Sequence, residues 1–125
     1  MLLRKKNEIK KLIIKLNALV KDAIKNLNES ELKIVLVVKN TKLVGTIVDG
    51  DIRRGMLDGV NINDNIKDIV HKNPTVVTSN VSKNRVSVFM KENKLQHIPI
   101  VNKLGRPIGL YILDEINNKI ERDNH

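Results

Sequence analysis

The strongest constraint on this chain is an internal repeat. The run from Leu32 to Ile52 is echoed by the run from Leu95 to Ile116, and Gly45 lies 64 positions before Gly109. Each copy is typical of a buried strand, a polar turn, and a second strand that leads through an acidic residue into a helix. Because one such unit is too small to bury a core alone, the two copies should pack together and leave a cleft for a small ligand.

Length and composition favour a single module. The 125 residues, 41% of them apolar, suffice for one globular body but not for two ordinary domains. The lack of cysteine excludes a disulfide framework and a Cys-based zinc site, and it fits a reducing compartment. The opening MLLRKKNEIKK lacks the apolar stretch of a secretion signal, and no later stretch is as long as a membrane span. We therefore expect a soluble, cytoplasmic protein.

The net charge of +9 raises the alternative of a basic nucleic-acid-binding domain. Single-strand binders usually combine basic grooves with aromatic stacking platforms, and this chain has only Phe89 and Tyr111 as aromatic residues. The lysines are also scattered over helix faces and turns. A solvated basic surface is therefore the preferred interpretation.

Two predictions compete near the N-terminus. Apolar spacing predicts one long helix over residues 7–28. The repeat predicts a strand at Lys11 to Lys15 and a helix from about Ala18, because the second copy has a strand at Thr75 to Thr78 before a helix at Ser82 to Asn93. Sequence alone leaves both open.

Further elements complete an α/β (α+β) fold of two β-α-β-β-α units. Start and stop signals predict short helices at Asp51 to Leu57 and Asn65 to His71, and a last helix at Asp114 to Arg122. The segment NKLGR forms a five-residue turn between the last two strands. We expect repeat 1 to cover residues 1–62, with an N-terminal extension to about 10, and repeat 2 to cover 63–125, with a C-terminal connector helix.

The segment GTIVDGDIRR contains most of the residues that could contact a ligand. Gly45 permits close approach of a neighbouring backbone or a ligand, and Asp49 and Asp51 stand where a strand gives way to a helix. An aspartate there can accept hydrogen bonds from ribose hydroxyls, and Arg53 or Arg54 can donate to a phosphate. In the competing interpretation Asp51 only caps its helix and the arginines are surface charges.

The double pattern resembles a pair of CBS domains, a Bateman module. The segment GTIVDGDI supplies the Gly, Asp and Ile of the signature G-x-x-T-x-x-D-I. The segment QHIPIV supplies the hydrophobic-Pro-hydrophobic strand that in this family commonly forms one side of the pocket for the nucleotide base. The resemblance, over about residues 11–117, implies a pseudo-twofold module whose cleft holds an adenine nucleotide such as AMP, ADP or ATP. It also implies a disc-like homodimer and no required cofactor.

The two copies depart differently from the family pattern. Val48 stands where the family usually has Thr or Ser, and in the second copy Glu115, one methylene longer, replaces the Asp. The resemblance therefore implies at most one good nucleotide site per chain, around Asp51, and the sequence offers no catalytic or metal-binding set. The predicted ligand-binding residues are Gly45, Thr46, Val48, Asp49, Asp51, Arg53, Arg54, His97, Ile98, Pro99 and Glu115.

A narrower likeness concerns the partner. VGTIVDGDIRR followed by HKNPTVV and QHIPIV resembles the CBS pair that precedes sugar-phosphate nucleotidyltransferases. It implies that this chain is a regulatory module of a fused or associated transferase and not itself an enzyme. An interaction module that uses the same fold without a ligand remains the main alternative, ahead of the nucleic-acid binder.

Overall fold

The structure, a computed structural model, describes residues 2–3 and 6–113 of the chain. It shows a mixed α/β fold with two four-stranded sheets. In chain order the elements are β1 (Leu2–Leu3), α1 (Lys6–Lys10), β2 (Ile13–Lys15), α2 (Val20–Glu29), β3 (Val35–Lys39), β4 (Lys42–Ile47), α3 (Asp49–Leu57), a 3₁₀ helix (Ile66–Asp68), β5 (His71–Lys72), β6 (Val77–Thr78), α4 (Lys83–Glu92), β7 (His97–Val101) and β8 (Pro107–Ile112).

The chain divides into two units. The first unit is Lys10–Pro74, and the second joins Met1–Ile9 to Thr75–His125. The division therefore falls at 74/75, whereas the sequence analysis places it at 62/63. The physical reason lies in the segment between them, because Ile66 and Ile69 pack in the core of the first unit and β5 pairs with β4.

The first unit is built on the sheet order β2-β3-β4-β5. Strands β2 and β3 are parallel, and the other pairs are antiparallel. Apolar side chains of α2, α3 and the 3₁₀ helix cover the sheet, and each fully buried Leu, Ile or Val stabilises the fold by about 1.5–3 kcal/mol. The core residues are Val20, Ala23, Leu27, Val35, Val37, Ile47, Ile52, Ile66 and Ile69.

The second unit repeats this topology in the sheet order β6-β7-β8-β1. Ile14 lies opposite Val37 in the first sheet, and Val77 lies opposite Ile100 in the second, so β2–β3 and β6–β7 have the same parallel register. Both antiparallel hairpins are also interrupted at the same point, between Val37 and Val38 and between Ile100 and Val101. The duplication seen in the sequence is therefore a duplication of strand register, down to the bulge.

The fourth strand of each sheet is formed by the segment that precedes, along the chain, the first strand of the other unit. Strand β1 precedes β2 along the chain but pairs with β8. Strand β5 precedes β6 but pairs with β4. Neither strand is recognisable in the sequence, because two residues carry no periodicity and only the distant partner defines them.

The long helix predicted over residues 7–28 is wrong, and the prediction from the repeat is confirmed. Strand β2 interrupts the segment, because Ile13–Lys15 pair with Leu36, Val37 and Val38 of β3. Helix α2 begins only at Val20. Apolar residues at helical spacing in this segment are therefore divided among α1, β2, α2 and the turns between them, a case in which periodicity alone misleads.

Most of the shorter elements lie close to their predicted bounds. Helix α3 begins two residues earlier than predicted, α4 spans Lys83–Glu92, and the strand expected at 75–78 shortens to Val77–Thr78. The helix predicted at 65–71 is only the 3₁₀ helix Ile66–Asp68, and His71 is already in β5. The last predicted helix, 114–122, lies outside the described residues.

Candidate functional site

The candidate site lies where β4 ends and α3 begins. Val48, in extended conformation, is the residue that precedes the helix, and Asp49 is the first helical residue. Helix starts leave backbone N–H groups without intrahelical partners, and their partial positive charge favours carboxylates in the first turn. Asp49 and Asp51 meet that preference.

Asp51 makes two polar contacts, one with the residue that precedes α3 and one with a residue of α3 itself. Its Oδ2 accepts a 2.9 Å hydrogen bond from the Val48 N–H, and its Oδ1 accepts a 2.8 Å bond from Nη2 of Arg54. The Asp51 side chain is 13% exposed and that of Arg54 is 68% exposed, so solvent reaches the pair mainly from the Arg54 side and keeps its contribution to stability small. The capping role considered from the sequence is therefore present, and each carboxylate oxygen still has an acceptor position to offer.

Asp22 makes the same capping contact at the start of α2. Its Oδ2 accepts a 2.9 Å hydrogen bond from the Leu19 N–H, three residues earlier. In the first unit, helices α2 and α3 therefore begin with the same capping contact. What distinguishes Asp51 is the paired arginine and its position directly after β4.

Gly45 makes room for β5. A Cβ atom on Gly45 would lie 2.5 Å from Cγ2 of Val70 and 2.8 Å from the His71 carbonyl oxygen. The close approach inferred from the sequence is therefore to a neighbouring strand. Thr46, the next residue, is buried between its strand partners Leu36 and His71.

Asp49 and Arg53 face a groove between α2 and α3. The groove has a volume of about 640 Å³. Its other lining residues are Ile24, Leu27, Asn28, Ile52, Met56 and Leu57. Because neither Asp51 nor Arg54 lines this groove, the predicted residues of α3 fall into two groups on different sides of the helix.

The remaining predicted residues belong to the second unit. His97 begins β7, is half-buried, and lies opposite Ile112 of β8. Ile98 is fully buried and packs with Val86, Met90 and other core residues of its own unit, so its side chain serves that core. Pro99 is also buried, on the opposite face of the strand. Glu115 lies outside the described residues.

Sequence reasoning missed the part played by Gly55 in forming this region. A Cβ atom on Gly55 would collide with Cγ2 of Ile69, so the glycine lets α3 approach the chain just after the 3₁₀ helix. The available signal was a glycine inside a predicted helix, which usually has a packing reason. Over residues 2–3 and 6–113, no cluster of three acidic or histidine side chains could hold a metal ion.

The chain is similar to a known protein family and to curated proteins. Residues 66–121 match the family model described as the CBS domain. A probable arabinose 5-phosphate isomerase of Haemophilus influenzae is 31% identical over 91 residues, which are 71% of this chain. This chain spans only 27% of the length of that protein. None of the helices in the described part of the chain could cross a membrane.

Solved structures share the fold across nearly the whole chain. The structure of CBSX2 in complex with AMP has a TM-score of 0.81, with 19% identity over 98% of this chain and 95% of that one. The CBS domain pair of MJ0100, in complex with 5′-methylthioadenosine and S-adenosyl-L-methionine, has a TM-score of 0.78, with 19% identity over 90% and 89%. The fold and the match of residues 66–121 together support a CBS module.

Proposed function

We propose that this chain is a regulatory module that binds an adenine nucleotide around Asp51. The observation that carries the proposal is the partly open Asp51 carboxylate at the β4–α3 junction, in a fold shared with a protein solved in complex with AMP. Adenosine-containing ligands also occupy the CBS pair of MJ0100. No catalytic role is assigned to this chain.

The contacts of Asp51 are compatible with ribose binding. A carboxylate has about four acceptor positions, and the Val48 N–H and Arg54 take one on each oxygen. Two neighbouring hydroxyls can occupy the remaining positions while the helix cap stays intact. Arg54 is exposed and can turn toward a phosphate, which it binds through a fork of donors.

The other predicted residues enter the proposal in different ways. Gly45 and Thr46 position the junction through their strand contacts, and Val48 offers no hydroxyl to a phosphate. Asp49 and Arg53 belong to the groove between α2 and α3 and are secondary candidates. Only the family resemblance supports a ligand-binding role for the remaining four residues, which are His97, Ile98, Pro99 and Glu115.

A thermal-shift panel of AMP, ADP, ATP and nucleotide sugars tests the nucleotide proposal. A ligand of the folded protein raises the melting temperature according to its concentration relative to Kd. We expect at least one adenine nucleotide to stabilise the wild type and the Asp22→Ala variant, but not Asp51→Ala. If no nucleotide stabilises the wild type, the nucleotide proposal is contradicted and the alternative of an interaction module without a ligand is favoured.

We further propose that the regulated partner is a sugar-phosphate enzyme. The motifs favour a nucleotidyltransferase, fused or associated, and the arabinose 5-phosphate isomerase match supports sugar-phosphate chemistry more broadly. In the mechanism we propose, the nucleotide shifts a conformational equilibrium that the partner senses. Adding AMP to the natural protein or complex that contains this chain should change its rate with a sugar phosphate. An unchanged rate at saturating AMP would contradict regulation.

We also propose that two copies form a homodimer through the groove between α2 and α3. Met56 and Leu57 are 42% and 82% exposed there, and exposed apolar side chains beside a groove favour a protein partner. Light scattering should give the mass of a dimer for the wild type and of a monomer for Leu57→Lys. The matched control is Ile62→Lys, which is 47% exposed but does not line the groove and should remain dimeric. A monomeric wild type at high concentration would exclude the dimer.

A further inference from the structure

A second cavity in the first unit lies at the turn between β3 and β4. It has a volume of about 550 Å³, which is large enough for a small metabolite. Three of its eight lining residues are lysines, Lys15, Lys39 and Lys67. Leu16 and Val38 supply apolar surface, and Asn17, Asn40 and Thr41 supply polar groups. We call this cavity the lysine pocket.

The charges of the lysine pocket are not balanced locally. No acidic residue lines it, and in the described part of the chain none of its three lysines forms an ion pair. Lys39 also lies directly opposite Lys42 across the hairpin, an arrangement of like charges that disfavours strand pairing. The pocket therefore concentrates positive charge that a bound anion would neutralise.

The backbone at the rim of the pocket is the tight turn of the β3–β4 hairpin. Asn40 and Thr41 form the two-residue turn, with φ values of 52° and 68°. Asparagine tolerates the left-handed region, but a β-branched residue there is an outlier. Positive φ at both central residues is the geometry that a two-residue hairpin turn requires, so the turn itself holds Asn40 and Thr41 at the rim.

The lysine pocket is far from Asp51 along the same sheet. Lys39 pairs with Lys42 at one end of the β3–β4 hairpin, and Val35 pairs with Ile47 at the other. The six residues of β4 span roughly 17 Å at 3.4 Å per residue. None of the residues that line the pocket is among those predicted to bind the nucleotide, so the pocket is separate from the proposed nucleotide site.

We propose that the lysine pocket binds a small phosphorylated metabolite through its phosphate groups. The three lysine side chains that line this one cavity provide the donors and the charge that a phosphate ester or a pyrophosphate requires. The apolar surface of Leu16 and Val38 accommodates the carbon portion of the ligand. This site goes beyond the proposed nucleotide function and does not depend on it.

Calorimetric titration with inorganic pyrophosphate tests the site. The wild type should bind, and the triple variant Lys15→Ala, Lys39→Ala, Lys67→Ala should bind at least tenfold more weakly. The control, Lys21→Ala, Lys25→Ala, Lys91→Ala, loses the same charge at exposed positions outside the pocket and should retain wild-type affinity. Absence of binding, or equal weakening in both triple variants, would overturn the proposal.

Two further measurements locate the bound anion. The largest changes in amide NMR shifts on adding pyrophosphate should fall at Leu16, Asn40 and Thr41. Changes centred on Asp51 would overturn the assignment. Saturating AMP should leave the affinity for pyrophosphate unchanged, and competition would show a single shared site. If AMP does not bind at all, the nucleotide proposal fails while the pyrophosphate result still stands.

Discussion

The two repeats keep the same strand register but fill it with different side chains. Ala23 in α2 corresponds to Val86 in α4, and Leu27 corresponds to Met90, each pair 63 positions apart. All four side chains are buried. On β4 and β8 the equivalent buried residues are Ile47 and Tyr111, 64 positions apart. The two units therefore share the register of their strands but fill their cores with different side chains.

Helices α2 and α4 also differ in which of their equivalent positions are buried. Val20 is fully buried in α2, whereas its equivalent in α4 is the exposed Lys83. Ser87 is buried in α4, where α2 has the half-buried Ile24. The two units therefore share their backbone pairing, which does not depend on side-chain identity, while the side chains that fill each core differ.

Truncating the equivalent helix residues Leu27 and Met90 should give the largest effects. Each side chain lies in the core of its own unit, so each alanine substitution removes buried apolar surface and leaves a cavity. We expect a loss of about 2–5 kcal/mol in the free energy of unfolding for each variant, measured by urea denaturation. A near-zero effect at one position would show that its unit is not packed as described.

Substituting Gly45 by Ala should be the next most damaging. The added methyl group would meet Val70 and the backbone of His71, so β5 would have to move. We expect a loss of about 1–3 kcal/mol in the free energy of unfolding.

The matched control for this substitution is Gly50→Ala in α3. There the new Cβ would approach only the flexible Arg54 side chain, at 3.1 Å. Alanine is preferred to glycine within a helix, so this variant should be neutral or more stable than the wild type. Similar losses in the two variants would contradict the role given to β5.

Removing the two capping carboxylates should give equal, smaller effects. Asp22→Ala and Asp51→Ala each delete an acceptor for the N–H that precedes a helix. We expect each variant to lose about 1 kcal/mol in thermal unfolding. A much larger loss for Asp51→Ala would mean that its contact with Arg54 is structural as well.

The two hairpin turns offer the smallest test. Thr41 holds a positive φ in the first turn, whereas Gly105 holds it in the second. Replacing Thr41 by Gly should raise the free energy of unfolding by up to about 1 kcal/mol, and Gly105→Thr should lower it. If Thr41→Gly destabilises the protein, the turn is not strained.

The repeat made most of the fold predictable, but not the elements that depend on distant partners. It correctly placed β2 and α2, where periodicity favoured one helix, because the second copy supplied an independent template. Strands β1 and β5 were not predictable, since each has two residues and is defined by a strand far along the chain. Gly55 and the lysine pocket likewise depend on tertiary neighbours.

The candidate site was only partly readable from the sequence. The motif correctly marked the strand-to-helix junction, because Gly and Asp at that spacing reflect local backbone requirements. It could not tell which side of α3 each residue faces, and the structure separates Asp49 and Arg53 from Asp51. The start of a helix is not known to within a residue from sequence, and one residue rotates a side chain by about 100°.

Calorimetric titration of AMP into the wild type, Asp51→Ala and Asp22→Ala tests the central claim most directly. The two variants lose equivalent capping contacts at the starts of two different helices, so a difference in affinity between them reports on the ligand. We predict that Asp22→Ala retains wild-type affinity and that Asp51→Ala binds at least tenfold more weakly, a change of about 1.4 kcal/mol. Equal affinity in all three proteins, or no binding to any of them, would contradict a nucleotide site at Asp51.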